Sequence, residues 1–197
     1  DWAKKYGKQG NGSKRRGLGM CCLMQGSSIP EIDMGAVFIK MNDDGSFNML
    51  LGATDLGTGS DTVLGQIAAE TIGCQLTDML VYSSDTDMTP FDVGAYASST
   101  TYLTGGAVIN CAKKVREQIE AVAASMLGEK MSDITIDNGV CYGKGRKNKV
   151  TFAQVCRYAL YEHKQFQIGA LGSHISHASP PPFSAHFAEV EVDTETG

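Results

Sequence analysis

Two stretches of this chain are rich in glycine and small hydroxyl residues, and each stands directly before a stretch of helical pattern. The first is Gly52-Ala53-Thr54-Asp55-Leu56-Gly57-Thr58-Gly59-Ser60-Asp61-Thr62, leading into Val63 to Gly73; the second is Tyr96-Ala97-Ser98-Ser99-Thr100-Thr101-Tyr102. The first backbone N–H groups of a helix have no partner within it, so a loop of this kind offers an anion a place to sit. Two such loops in one small chain point to a ligand carrying several phosphates. The first loop matches neither the nucleotide-hydrolysing nor the dinucleotide pattern. Thr62 stands where the third glycine of Gly-x-Gly-x-x-Gly belongs after Gly57 and Gly59, and no lysine follows Gly59 as a phosphate loop requires.

Other residues with chemical potential are less organised. His163, His174, His177 and His186 include the pair His174-Ile175-Ser176-His177, but no carboxylate or cysteine stands at ligand spacing beside it, and the Pro-rich sequel implies an exposed loop. No metal ligands are assigned. Cys21, Cys22, Cys74, Cys111, Cys141 and Cys156 form no Cys-x-x-Cys pair and read as reduced, buried thiols of a cytoplasmic protein, with Cys21-Cys22 packing within a strand.

The charge balance of 17 basic against 22 acidic residues, formally −5, disfavours a nucleic-acid binder, and Lys14-Arg15-Arg16 reads as a solvated surface turn. No apolar run approaches the roughly 18 to 20 residues of a membrane helix, and the start Asp1-Trp2-Ala3-Lys4-Lys5 has no signal-peptide core. No membrane partner is expected. A start without methionine and an end on the turn-like Asp193-Thr194-Glu195-Thr196-Gly197 read as a piece cut from a longer polypeptide.

The loops need elements to hold them. Trp2 and Tyr6 are expected to dock a short helix near the start. Ala36 to Met41 alternates, Asn42-Asp43-Asp44-Gly45 makes a turn, and Phe47, Met49 and Leu51 alternate again: a hairpin running into the first loop. Thr62 to Ile72 has helical spacing with Gly73 placed as a C-terminal cap, and Met79 to Tyr82 reads as a buried strand. Val108, Ala112, Val115, Ile119, Val122 and Met126 recur in steps of three and four and predict a long helix after the second loop. Asp137-Asn138-Gly139 predicts a hairpin, Thr151 and Gln154 have capping-box spacing before a third helix, and Pro180-Pro181-Pro182 precedes a strand over His186 to Val192. Strands and helices mix without βαβ repetition, so the fold class is α+β.

With these segments placed, the chain resembles the molybdopterin-binding subunit of the xanthine dehydrogenase and aldehyde oxidase family of molybdenum hydroxylases. The likeness is carried by Gly52 to Gly59 with Gln66-Ile67-Ala68-Ala69-Glu70, by Asp85-Thr86-Asp87-Met88-Thr89-Pro90-Phe91-Asp92 leading into Tyr96 to Tyr102, and by Phe187-Ala188-Glu189-Val190-Glu191-Val192-Asp193. Trp2 and Arg15-Arg16-Gly17-Leu18-Gly19-Met20 look like the family's approach to its second cofactor-binding domain. The resemblance implies an approach segment over 1–35 and a cofactor-binding domain over 36–197. It implies a molybdenum-carrying molybdopterin, in the cytosine dinucleotide form of most bacterial relatives, held by Leu56, Gly57, Thr58 and Gly59 and by Ala97, Ser98, Ser99, Thr100 and Thr101. Glycines suit close backbone approach, and the hydroxyls add donors, although at least one is expected to serve as a helix cap.

The implied activity is hydroxylation of an electron-poor carbon in a purine, N-heterocycle or aldehyde, with oxygen from water. Electrons pass to iron–sulfur and FAD partners, and the remainder of the molybdopterin subunit is a further partner. Several relatives have glutamine where Thr58 stands and many have arginine where Ser99 stands, so direct contact of Thr58 with the metal centre is doubtful. The family's catalytic glutamate lies beyond the point matching Gly197, while Glu70 and Glu189 read as surface helix and sheet residues. No catalytic residue is therefore assigned, and the piece alone is expected to be inactive. The alternative is a non-enzymatic binding or scaffold domain that keeps the fold without the cofactor.

Overall fold

The computed structural model describes residues 1, 3–4 and 12–197. Trp2 and Tyr6, expected to dock a short helix, lie outside the described residues. The chain divides into two compact units, Ser27–Ser179 and a smaller one made of Asp1–Gly26 with Pro180–Gly197.

The larger unit is built on a four-stranded sheet in which β4 (Met79–Ser83), β3 (Phe47–Leu51), β2 (Met34–Met41) and β8 (Gly169–Ile175) lie side by side in that order. Strand β2 (Met34–Met41) and β3 (Phe47–Leu51) form the expected antiparallel hairpin, and the alternating Val37, Ile39, Met41, Phe47, Met49 and Leu51 are all fully buried on the face turned to the helices. Strand β4 (Met79–Ser83) runs parallel to β3 after a crossover through helix α1 (Ser60–Ile72). β4 is an edge strand, and Leu80 and Tyr82 on its outer face are 63% and 47% exposed, so the fully buried strand expected from its apolar run is corrected to a half-buried one.

Helix α2 (Thr100–Leu127) spans 28 residues and lays the predicted stripe on the sheet, with Ala107, Val108, Cys111, Ala112, Val115, Ile119 and Val122 at 0–1% exposure. It crosses strand β8 (Gly169–Ile175) so closely that a Cβ on Gly172 would stand 2.4 Å from the Cys111 backbone nitrogen. Helix α1 packs beside α2 and ends on Gly73, whose left-handed conformation (φ 94°) lets its N–H reach the Ala69 carbonyl.

A second, three-stranded antiparallel sheet joins β5 (Thr135–Asp137), β6 (Val140–Tyr142) and β7 (Lys149–Thr151), with the Asn138-Gly139 turn in left-handed conformation at both residues. Thr151 and Gln154 cap helix α3 (Phe152–Tyr161) reciprocally: the Gln154 N–H donates to Thr151 Oγ1, and the Gln154 side chain accepts the Thr151 N–H at 2.8 Å. Strands and helices mix as an α+β fold.

The smaller unit is a two-stranded antiparallel ribbon of β1 (Lys14–Met24) and β9 (Phe183–Asp193). Three expectations are corrected by strand assignments. Lys14-Arg15-Arg16 belongs to β1 and not to a turn, because Arg16 bonds Glu191 at 2.8 Å and Lys14 lies 3.2 Å from the same carboxylate. Cys21 and Cys22 lie in β1 but are exposed, whereas Cys111, Cys141 and Cys156 are buried as expected and Cys74 is half-buried. In the larger unit, His174 and Ile175 end β8 instead of forming an exposed loop, and the following Ser176 is fully buried.

Candidate functional site

The first loop leaves the C-terminal end of β3, and the second ends at the start of α2. Their side chains line one cavity of about 280 Å³, bounded by Leu56, Thr58 and Ser60 from the first loop and Ala95, Ser98, Thr100 and Thr101 from the second. Gly57, Gly59, Ala97 and Ser99 stand between these residues and do not contribute to the lining. None of the lining residues is charged, and five of them bear a hydroxyl: Thr58, Ser60, Ser98, Thr100 and Thr101.

The first loop is shaped by its own acid. Asp55 accepts the N–H of Gly57 at 2.8 Å and that of Gly59 at 3.1 Å, and these bonds, with Gly57 foremost, hold its carboxyl below the ordinary carboxylate range. Both glycines have positive φ, 93° and 74°, which excludes most side chains on backbone grounds, and a Cβ on either would meet nothing within 4 Å. Their outer faces are thus open to a ligand, but their N–H groups already bind a carboxylate.

Ser60, the first residue of α1, was not among the expected site residues. The residue is 4% exposed, its Oγ is buried with no hydrogen-bond partner among the described residues, and the residue is one of those around the cavity. A buried hydroxyl without a partner carries a desolvation cost that a ligand acceptor or donor would relieve. Its only sequence signal is position, a hydroxyl directly after the glycine pair. Beside it Asp61 accepts Ser83 Oγ at 3.1 Å and occupies the first turn of α1.

The second loop is arranged differently. Ser99 is the N-cap residue of α2 but caps nothing with its side chain: its Oγ donates to the Tyr96 carbonyl at 2.9 Å and, more weakly, to that of Gly94 at 3.3 Å. The expected capping role is therefore not filled at Ser99. Nor does Gly59, the N-cap of α1, supply a side-chain cap. The first turn of α2 has no acidic residue, in contrast to Asp61 in α1. Leu103 N–H reaches the Ser99 carbonyl at 2.7 Å, so the three N–H groups before it are those a helix leaves without an intrahelical acceptor. Positive potential at the end of α2 therefore remains uncompensated by its own side chains, whereas Asp55 and Asp61 offset it at α1.

The expected non-site residues lie elsewhere. Glu70 is exposed on α1, and Glu189 on β9 stands 3.5 Å from Arg16. His177 meets Glu31 at 2.9 Å on the surface, His186 bonds Ser184 at 2.8 Å, and His163 stacks on Tyr158. Among the described residues no group of three or more His, Cys, Asp or Glu side chains is placed to hold a metal ion, and no helix is long and apolar enough to cross a membrane.

Two small-residue loops that meet at the N-termini of two packed helices, with one cavity lined by residues of both, define the site of this α+β domain. Residues 1–197 match the family described as "Molybdopterin cofactor-binding domain", and the chain belongs to that family. It is related to members of the xanthine dehydrogenase and aldehyde oxidase group. It is 39% identical over 191 residues to the "Probable hypoxanthine oxidase XdhD" of Escherichia coli strain K12, covering 96% of this chain and 20% of that protein. It is 33% identical over 201 residues to the "Xanthine dehydrogenase molybdenum-binding subunit" of Escherichia coli O157:H7, covering 98% of this chain and 27% of that one. The chain thus spans about a fifth to a quarter of the length of these relatives. In fold it is similar to the reconstituted CO dehydrogenase from Oligotropha carboxidovorans, with a TM-score of 0.83 at 22% identity over 97% of this chain and 25% of that one.

Proposed function

We propose that this chain is the part of a molybdenum hydroxylase that holds and orients its molybdopterin cofactor, and that it derives from the second cofactor-binding domain of the catalytic subunit. The observation that carries the reading is the single cavity that residues of both loops line together, Ser60 among them. The donor set fits a cofactor with phosphate oxygens and polar ring edges, because it is uncharged, rich in hydroxyls and set at the end of α2 that lacks its own acid.

In this reading Thr58, Ser60, Ser98, Thr100 and Thr101 bond the cofactor, and the α2 terminus receives its most negative portion. Leu56, Gly57, Gly59 and Ala97 supply shape and close backbone approach, while Ser99 turns inward and braces the loop. When bound, the cofactor supplies two-electron oxidation of a carbon centre with oxygen from water. The chain's own residues bind and orient it. The two named relatives, a hypoxanthine oxidase and a xanthine dehydrogenase subunit, favour a purine among the purine, N-heterocycle and aldehyde substrates considered. Iron–sulfur and FAD partners, the cytosine dinucleotide form and a cytoplasmic setting belong to the same proposal.

The test is metal and nucleotide analysis of the full-length protein with its native partners. Close to one molybdenum per catalytic subunit, with cytidine monophosphate released on acid hydrolysis, is the expected result. Preparations that oxidise purines without molybdenum, or inactive ones that never acquire it, would refute the reading and favour a scaffold domain.

A further inference from the structure

The second loop holds two consecutive non-glycine residues in the left-handed region, Ala97 at φ 50° and Ser98 at φ 51°. That conformation is unfavourable for residues with a Cβ and persists only where surrounding contacts fix it. The contacts come from a distant segment. Asp33 is fully buried, and its carboxylate accepts the Tyr96 hydroxyl through one oxygen and the Ile29 N–H at 2.7 Å through the other. Ser28, itself left-handed at φ 67°, donates its N–H to the Ala97 carbonyl at 3.0 Å. The 28–33 segment is in turn fastened to the residue after β8: Ser28 Oγ and Ser176 Oγ lie 2.6 Å apart, and Glu31 N–H donates to the Ser176 carbonyl at 2.7 Å.

At the other side of the loop Asp92 does matching work. It accepts Gly94 N–H at 2.9 Å and the hydroxyl of Thr104, in the first turns of α2, at 2.6 Å. Two carboxylates therefore grip the loop before and after its left-handed pair begins. The Tyr96 side chain offers little to the core, since the residue is 45% exposed, so what it contributes is the bond from its hydroxyl to Asp33. A hydroxyl on an exposed ring, spent on a fully buried carboxylate, is a fastening.

We propose that Asp33, acting through Tyr96, is a positioning residue for the cofactor cavity: it holds the left-handed turn at Ala97–Ser98 that carries Ser98, Thr100 and Thr101 to the cavity wall. The assignment of what fills the cavity rests on the function proposed above; the fastening itself does not. Losing it frees Ala97 and Ser98 to relax to ordinary backbone conformations, which moves the start of α2 away from the first loop.

The experiment compares Tyr96→Phe, Asp33→Asn and the double variant with the full-length wild type, by amide hydrogen exchange and by the rate of molybdenum loss on dilution into chelator. Tyr96→Phe is expected to raise exchange over residues 97–103 about tenfold, leave 115–122 in the middle of α2 unchanged, and speed molybdenum loss to a similar degree. The double variant is expected to exchange no faster than the faster single variant, as for two residues acting through one bond. Unchanged exchange over 97–103 in Tyr96→Phe would overturn the proposal. So would additive effects in the double variant, or an equal rise across 115–122, which marks general destabilisation. A wild type that holds no molybdenum refutes the cofactor reading instead, and the exchange comparison still decides the role of Asp33.

Discussion

Replacing Ser60 by alanine is expected to move the empty and the loaded protein in opposite directions. Ser60 is 4% exposed, and its Oγ has no partner among the described residues. Leaving a buried hydroxyl unsatisfied costs roughly 1–3 kcal/mol, so the alanine variant of the cofactor-free protein should gain about 1 kcal/mol. For a unit of this size that corresponds to a rise of roughly 2–4 °C in Tm. Alanine keeps the helix start, because Ser60 follows the N-cap Gly59 and provides no side-chain cap. In the proposed function the hydroxyl turns to the cofactor as a donor when the protein is loaded, so its loss should weaken retention by about 1 kcal/mol, or roughly fivefold in dissociation constant. The assay is differential scanning calorimetry of cofactor-free protein alongside molybdenum release from loaded protein. A cofactor-free variant that melts below wild type, or a loaded one that keeps its metal as long as wild type, would refute the reasoning.

Three further outcomes follow from the same geometry. Gly57→Val should impair molybdenum retention more than Thr58→Ala: the branched side chain must adopt φ near 93° and would fill the open face beside the loop, whereas alanine removes one hydroxyl, about 1 kcal/mol. Equal metal content in both variants and wild type would count against ligand approach at Gly57. Burial pushes the thiols of Cys111 and Cys156 up to about 11 and those of Cys74 and Cys141 up to about 12, so at pH 8 a thiol reagent should modify exposed Cys21 and Cys22 first and the others only on unfolding, as peptide mass mapping can verify. Asp55 has a lowered folded pKa, so its stabilising contribution is present above the ordinary carboxylate range and is lost as pH falls through the folded value; Asp55→Asn should lower Tm at neutral pH, and the gap should close on acidification.

The local elements were legible in the sequence because their signals are local. The β2–β3 hairpin, the Asn138-Gly139 turn, the Thr151–Gln154 capping box and the Gly73 cap each lie within a few residues of the contacts they make. Strand β8 and all of β1 but the Cys21-Cys22 stretch were missed for reasons outside their own windows. β1 begins with Lys14-Arg15-Arg16 and contains Gly17 and Gly19, and it is a strand because β9, far along the chain, pairs with it and supplies Glu189 and Glu191. β8 carries Gly169 and Gly172, which weaken any strand pattern. Gly172 is there because α2 presses its backbone at Cys111 against the strand. At the site, the glycine and hydroxyl pattern located both loops, but not the inward turn of Ser99 or the burial of Ser60. Those depend on how α1 and α2 pack, which no short motif encodes.

The two loops look alike in sequence and do different electrostatic work. Each precedes a helix, yet only the first contains an acid that accepts its own backbone donors: Asp55 binds Gly57 and Gly59, and Asp61 follows in the first turn of α1. A second anion brought directly onto those N–H groups would have to displace a carboxylate and would meet another nearby. At the α2 terminus no acid takes the N–H groups of the first turn, since Asp92 is engaged by Gly94 N–H and the Thr104 hydroxyl, and Thr100 and Thr101 at the start of this 28-residue helix line the cavity. In the function proposed above, the first loop is thereby a wall rigidified from within that brings Thr58 and Ser60 to the cavity, and the second loop is where the anion is received. This division explains why the strained pair Ala97–Ser98 lies in the second loop, where the fastening from Asp33 and Ser28 keeps the helix terminus aimed.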